Sequence, residues 1–398
     1  MQLSERIRRV RVSGTIRLAD MVRKRAASGG KVYNLAEGEP DFDTPAFIID
    51  AAHKAALAGH TRYTSVAGTP ALREAIAAKL RNENGLVCDI DEVVVGTGAK
   101  QLMFNALLVG VNDGDEAIIP APYWVSYCDM VTIAGGKPVI VDCFGTDLKI
   151  TPGALAAAIT ARTRWLILNS PGNPGGAVYS ASELSALAGV LRQYPKVAVI
   201  CDDIYEKILF TGAPFATMAR VAPDLEGRVL TVNGVSKSHA MTGWRIGYAA
   251  GPRKFIAAMT KLQGQSTTNA SSISQAAALA ALTGPQDTIH EWGRIYLRRR
   301  DSAIAAIAAI PGLNARPPDG AFYIFVDCTA LLGRTAPDGT VIDTDIVLSE
   351  YLLAAAGVAL VPGTEFGGPG HLRLCFAKSD DEVAEACAEM GKALASLT

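Results

Sequence analysis

The chain has 398 residues, of which 49% are hydrophobic and 19% charged, and a net charge of −1; that is a soluble profile with room for one large and one smaller domain. It carries no basic excess to neutralise phosphates, which argues against a nucleic-acid partner, and no apolar run nears the roughly 18 residues of a membrane span. Seven scattered cysteines without C-x-x-C spacing, and no apolar signal core at the start, predict a reduced, cytoplasmic protein with structural thiols.

The opening has an amphipathic stretch at 7–12 and a short basic cluster (Arg6, Arg8, Arg9, Arg11). From Gly38 through Glu39, Pro40, Asp41, Phe42, Asp43 and Thr44 to Pro45, glycine and two prolines predict an ordered loop. Pro70 behind Thr69 predicts a helix to about residue 81 with Thr69 as N-cap. From residue 93, short apolar runs alternate with helical patterns. Strands are predicted at 93–95, 116–119, 138–141, 165–168, 197–201 and 229–232. Between them lie helices such as 182–191, where Ser180 and Glu183 form a capping box. Strands apolar on both faces and separated by helices predict an α/β fold with a largely parallel sheet. Sites in such sheets lie beyond the carboxyl ends of the strands. From about residue 275 the chain is helical and alanine-rich, with strands at 321–326 and 372–376 in a smaller α+β unit. A long helical pattern at 289–310 connects the two parts. The predicted division is 1–45 (arm and part of the small domain), 46–304 (large domain) and 305–398 (small domain).

Several loops carry chemistry. Gly96, Thr97, Gly98 and Ala99 follow a strand and open a helix, a setting whose backbone N–H groups bind anions. The dinucleotide fingerprint fails here, because Gln101 occupies its third glycine position. Asn173 lies in a polar turn rich in proline and glycine, and Asp202, Asp203 and Tyr205 follow the strand at 197–201. An acidic pair there serves equally as a solvated cap or helix start. Tyr123, Trp124 and Tyr127 form an aromatic patch, a pattern that usually packs a core. Lys237 sits on a small polar turn, eight residues before Arg245. Burial and a fixed cation would both favour its neutral, nucleophilic amine. Arg373 lies in a strand-like run, where an inward guanidinium needs a partner and a carboxylate is the natural one. The five histidines lack metal spacing.

Ser236, Lys237, Met241, Thr242, Gly243, Trp244, Arg245 and Gly247 together closely resemble the lysine motif of class I aminotransferases. These are the pyridoxal-phosphate (PLP) enzymes of the aspartate aminotransferase kind, and the likeness is greatest to their bacterial branch. The other motifs follow in the family's order over nearly the whole chain. The resemblance implies the PLP-transferase fold type I, with a mainly parallel seven-stranded sheet between helices and a smaller α+β domain. It also implies Lys237 as the Schiff-base lysine and Asp202 as the partner of the pyridine nitrogen. Tyr205 and Asn173 would meet the phenolic oxygen, and Trp124 would stack on the ring. The phosphate cup would comprise Gly98, Ala99, Lys100, Ser236 and Arg245, with Tyr63 from a second subunit of a homodimer. Arg373 and the backbone of Gly38 would take the substrate α-carboxylate, while Trp124 and Asn173 would also touch the substrate.

Lys100 is expected at a side-chain carboxylate, which favours aspartate as amino donor and 2-oxoglutarate as acceptor in a ping-pong reaction. Arg11, Val12, Ser13, Gly14 and Thr15 depart from the family's usual Pro-Ser-Ala-Thr where the arm lines the substrate entrance. Prephenate and aromatic amino acids therefore stay open as alternatives. So does another PLP reaction, a lyase or oxidase, on the same scaffold. A non-catalytic α/β binding protein is the remaining rival. Gly175, where the family often has Thr or Ser, is a smaller departure.

Overall fold

The computed structural model describes residues 2–10 and 14–398, with the side chains of 14–17 left aside. Its strands in chain order are β1 Tyr33–Asn34, β2 Val93–Gly96, β3 Glu116–Ala121, β4 Lys137–Asp142, β5 Thr163–Asn169, β6 Ala198–Asp202, β7 Val229–Asn233, β8 Gly247–Ala250, β9 Asn314–Ala315, β10 Tyr323–Asp327, β11 Val358–Ala359, β12 Val361–Pro362 and β13 His371–Cys375. A seven-stranded sheet runs β2-β8-β7-β6-β5-β3-β4. Only β8 runs against its neighbours. Six of these strands match the apolar runs read from the sequence. The seventh, β8, is a glycine- and alanine-rich return that its composition conceals.

The helices between strands cover both faces of the sheet and give two cores, one around Met103, Tyr127 and Met259 and one around Leu155, Leu187 and Leu191. Helix Ala181–Gln193 carries the expected capping box between Ser180 and Glu183. Helix Pro70–Lys79 starts where predicted, although Thr69 makes no side-chain cap. Its last expected turn becomes a wider coil at Leu80–Asn84, closed by Gly85 in the left-handed region.

The later part of the chain forms a four-stranded sheet, β12-β13-β10-β9. Helix Asp380–Ala395 packs through Val383, Cys387 and Met390 into the core that backs this sheet. The predicted strand at 321–326 begins two residues later, at Tyr323, because Ala321 has φ 58°. β1 pairs in parallel with β11, so residues before the large sheet join the C-terminal part. The amphipathic stretch expected at 7–12 is helical over Glu5–Arg8 and then runs beyond the described residues. Helix Gly14–Ala27, unforeseen from the sequence, docks Leu18 against Phe325, Leu353 and Phe366.

Candidate active site

The carboxyl ends of β2, β3, β5, β6 and β7 open on one cleft of about 510 Å³. Strand register sets its floor. Asn169 ends β5 beside Asp202, which ends β6, and Asp202 lies beside Val232 of β7. Tyr127 Oη donates to Asp202 Oδ2 at 2.7 Å, and Asp202 Oδ1 is buried without a partner. Burial pushes this carboxyl up to about 6; the Tyr127 hydroxyl, the Ile204 N–H and the Lys237 charge pull the other way.

Asp203, one of the acidic pair open to reading as a solvated cap, is only 3% exposed and so is not a solvated surface group. It faces the Glu206 carboxylate, which forms a buried pair with Lys79. Burial first, then the charges of Glu206 and Asp202, hold the Asp203 carboxyl well above its usual range.

Past β7 the chain turns at Ser236 and Lys237, both of which line the cleft. Lys237 Nζ donates to the Gly38 carbonyl at 2.6 Å. Burial lowers this amine to about 8; Cys375 and Glu39 oppose the shift, while the Arg373 and Arg245 cations add to it. The expected cation effect is therefore present but smaller than desolvation and than the opposing effects of Cys375 and Glu39.

Gly98, at φ 91°, precedes helix Ala99–Gly110, whose first residues Ala99 and Lys100 line the cleft; the first N–H groups of a helix suit an anion. A Cβ on Gly98 would sit 2.8 Å from the Arg245 guanidinium and would be strained at φ 91°, so glycine suits both the turn and the approach of that cation to the helix start. Arg245 Nη1 donates to the Thr242 carbonyl, and no carboxylate pairs with Arg245 among the described residues. The result is a cationic cup with Ser236 and Ala99 at its edge. Lys100 lies over the Trp124 ring, 4.7 Å from its centre. Desolvation lowers its pKa, as does the Arg245 charge.

Arg373 also lines the cleft; it is 6% exposed and has no carboxylate partner among the described residues. Its Nη1 donates to Asn173 Oδ1 at 3.2 Å and its Nη2 to the Ala36 carbonyl, while Nε has no partner. The guanidinium lies over the rings of Tyr323 and Phe366, at 4.6 and 5.0 Å. β13 points this side chain inward because its neighbours Leu372 and Leu374 fill the opposite face. At Gly175 a Cβ would meet Leu148 Cδ1 at 2.4 Å, so Leu148 occupies the space that a Thr or Ser would need.

Tyr205 lines the cleft, but its hydroxyl pairs with that of Tyr323 at 2.7 Å. Tyr323 and Tyr127 are the site residues that sequence reading missed. Both carried a faint signal: Tyr127 stands one helical turn beyond Trp124, and Tyr323 faces the same side of its sheet as Arg373. Tyr63 does not reach the cleft of its own chain and is 90% exposed. Arg11 lies outside the described residues. His239 is buried beside Ser238, away from the cleft, and burial lowers it to about 4.

A lysine of lowered pKa, a buried carboxylate with a free oxygen, a cationic cup and an unpaired inward arginine thus meet in one cleft. The family model for aminotransferase class I and II matches residues 30–390. The chain belongs to that family. The aspartate aminotransferase of Rhizobium meliloti (strain 1021) is 48% identical over 97% of this chain and 94% of its own. The aspartate/prephenate aminotransferase of Cereibacter sphaeroides is 47% identical over 100% of this chain and 99% of its own. Among solved structures, the aspartate aminotransferase of Rhizobium meliloti superimposes with a TM-score of 0.97 at 46% identity, covering 100% of both chains. That of Thermus thermophilus with maleate gives 0.91 at 39%, over 99% of this chain and 100% of that one. This aminotransferase sits in the bacterial branch of the family, and its fold is type I.

Membership implies PLP as cofactor, and the cleft of the aminotransferase fits it. The partnerless Asp202 Oδ1 is the acceptor that a protonated ring nitrogen requires. The cup at Gly98 and Arg245 likewise matches a phosphate in charge, with the Arg245 guanidinium drawn up to the start of helix Ala99–Gly110.

Proposed function

We propose that the chain moves the amino group of a dicarboxylic L-amino acid, aspartate first, to 2-oxoglutarate in two half-reactions that share one site. The supporting observation is that Arg373 and Lys100 line the same cleft and neither has a carboxylate partner among the described residues. Two cations at the two ends of a substrate suit two carboxylates. The relatives' names, and the maleate bound to the Thermus enzyme, agree with a dicarboxylate.

In this reading Arg373 holds the α-carboxylate by its fork, with the Gly38 backbone beside it. Lys100 meets the side-chain carboxylate, and Trp124 and Asn173 close the cleft around ring and substrate. Gly98, Ala99, Lys100, Ser236 and Arg245 hold the phosphate. Asp202 keeps the ring nitrogen protonated, and Tyr205 and Asn173 address the ring's phenolic oxygen. The bound cofactor supplies an electron sink for the pair released when the α-proton leaves. Lys237 Nζ, desolvated, takes that proton in its neutral form and returns it.

Prephenate as a second amino acceptor is favoured by relatives named aspartate/prephenate aminotransferases. We read the protein as a cytoplasmic homodimer in which Tyr63 of one subunit completes the phosphate cup of the other. Its exposure within one chain supports that reading, and the seven free thiols support the compartment. We also propose 46–304 as the cofactor-binding domain, with 1–45 and 305–398 as the smaller one; the β1–β11 pairing supports it. The inner boundary falls within helix Asp287–Ala308.

The test is a keto-acid product screen with aspartate, glutamate, phenylalanine and prephenate, alongside Lys237→Ala. Aspartate-dependent formation of glutamate from 2-oxoglutarate is expected, and Lys237→Ala should lose both the cofactor absorbance and turnover. Retained turnover in that variant would refute the reading. Keto acid or imine products without amino transfer would point to a lyase or oxidase.

A further inference from the structure

Tyr323 joins three parts of the cleft that come from distant stretches of the chain. Its hydroxyl lies 2.7 Å from that of Tyr205 and 3.3 Å from the Gly38 carbonyl oxygen. Its ring lies beneath the Arg373 guanidinium, 4.6 Å away. The approach at Gly38 is close enough that a Cβ there would sit 2.4 Å from Tyr323 Oη. Burial holds both tyrosine hydroxyls above their usual pKa, so each keeps its proton.

Two hydroxyls then have two protons to place, and their mutual hydrogen bond uses one of them. If Tyr205 donates to Tyr323, the Tyr323 proton is left for the Gly38 carbonyl. If Tyr323 donates to Tyr205, the Tyr205 proton is free to point into the cleft. In the cofactor-free chain the Gly38 carbonyl is not orphaned in the second case, because Lys237 Nζ donates to it at 2.6 Å; a Lys237 linked to the cofactor no longer makes that bond.

We propose that Tyr323 is a positioning residue: it turns its proton from Gly38 to Tyr205 when an anionic oxygen enters the cleft, and it braces Arg373 from below. This rests on the PLP reading above, in which that oxygen is the phenolic one of the cofactor. Tyr205 is then a donor whose own oxygen is polarised by Tyr323, and the pair gives a stronger hydrogen bond than either hydroxyl alone. The same ring keeps the guanidinium flat for the carboxylate fork.

The test uses holoenzyme of wild type, Tyr323→Phe, Tyr323→Leu and Tyr205→Phe, each titrated by cofactor absorbance from pH 5 to 10. Maleate affinity is read from the same spectra. Tyr323→Phe should take up PLP normally and raise the spectroscopic midpoint by about half a pH unit, the size of one neutral hydrogen bond, in the direction of the larger Tyr205→Phe shift. Tyr323→Leu should in addition weaken maleate binding about tenfold, whereas Tyr323→Phe should change it less than about threefold. An unmoved midpoint in Tyr323→Phe, beside a shifted one in Tyr205→Phe, overturns the proton role. Equal maleate affinity in all the Tyr323 variants overturns the brace. Wild type that takes up no PLP overturns the aminotransferase reading itself, which separates the two failures.

Discussion

The Tyr127 hydroxyl holds Asp202 by one carboxylate oxygen at 2.7 Å and leaves the other buried and unpartnered. A carboxylate fixed on one side and bare on the other is held at a cost until a donor arrives. That arrangement sets a pH signature for the cofactor-free protein.

Burial raises the folded pKa of Asp202 from 3.8 to about 6. Between those values the folded form holds a proton that the unfolded chain has lost. Stability therefore falls as pH rises from about 4 to about 6, by on the order of 2–3 kcal/mol. Asp202→Asn carries no charge to desolvate and should lack this part of the slope. Urea melts of both cofactor-free proteins at pH 4.5 and 6.5 check it, and equal slopes would contradict the burial argument. The same variant should bind PLP more weakly.

Lys237 is lowered to about 8, so the neutral amine grows from about a tenth at pH 7 to about half at pH 8. The rate of PLP capture by cofactor-free protein should rise about fivefold over that step. Glu39→Gln removes an anion that raises this pKa and should shift the profile to lower pH. Arg373→Met removes a cation that lowers it and should shift the profile to higher pH. Stopped-flow absorbance reads all three.

Arg373→Lys keeps the charge but loses the planar fork. The KM for aspartate should rise about 10- to 100-fold, the range of one charge-assisted hydrogen bond. PLP uptake should be unchanged, because no part of the phosphate cup is touched. Steady-state kinetics with a parallel absorbance titration separates the two.

Lys100 is set over Trp124, partly desolvated and beside Arg245. Lys100→Met should raise the KM for aspartate about tenfold and leave that for phenylalanine within about twofold. A uniform loss for both would assign Lys100 to the phosphate alone.

Arg299 clamps Asp41 by two hydrogen bonds, 2.8 and 2.9 Å, and stacks over Phe42. Arg299→Met should destabilise by about 2 kcal/mol, below the cost of breaking a sealed pair because Asp41 keeps some solvent. Asp41 stands three residues after Gly38, so a raised KM should accompany the loss. Urea melts and kinetics on one preparation check both effects.

Much of the site was legible because its residues follow strands, and strands that are buried on both faces betray themselves by composition. Asn173, Asp202 and Lys237 each follow such a run. β8 was missed because glycine and alanine carry no strand signature, and helix Gly14–Ala27 because its mixed polar surface hides the few residues it docks. Tyr323 and Tyr127 were missed for another reason: an aromatic in the first turn of a helix or in a core strand reads as packing until its hydroxyl finds a partner. Tyr205 lines the cleft, yet its partner Tyr323 stands 118 positions away.

By itself the sequence determined the alternation of strands and helices, the order of the loops at the strand ends, and the positions of the lysine, the acid and the arginines along the chain. These are local properties: apolar period, turn chemistry and motif spacing are written within a few residues of each other. Only the tertiary structure decided which groups are buried without partners, where a missing Cβ admits a guanidinium, and how two tyrosines share their protons. Burial and long-range pairing depend on which distant segments the sheet brings together, and no short stretch of chain contains that information.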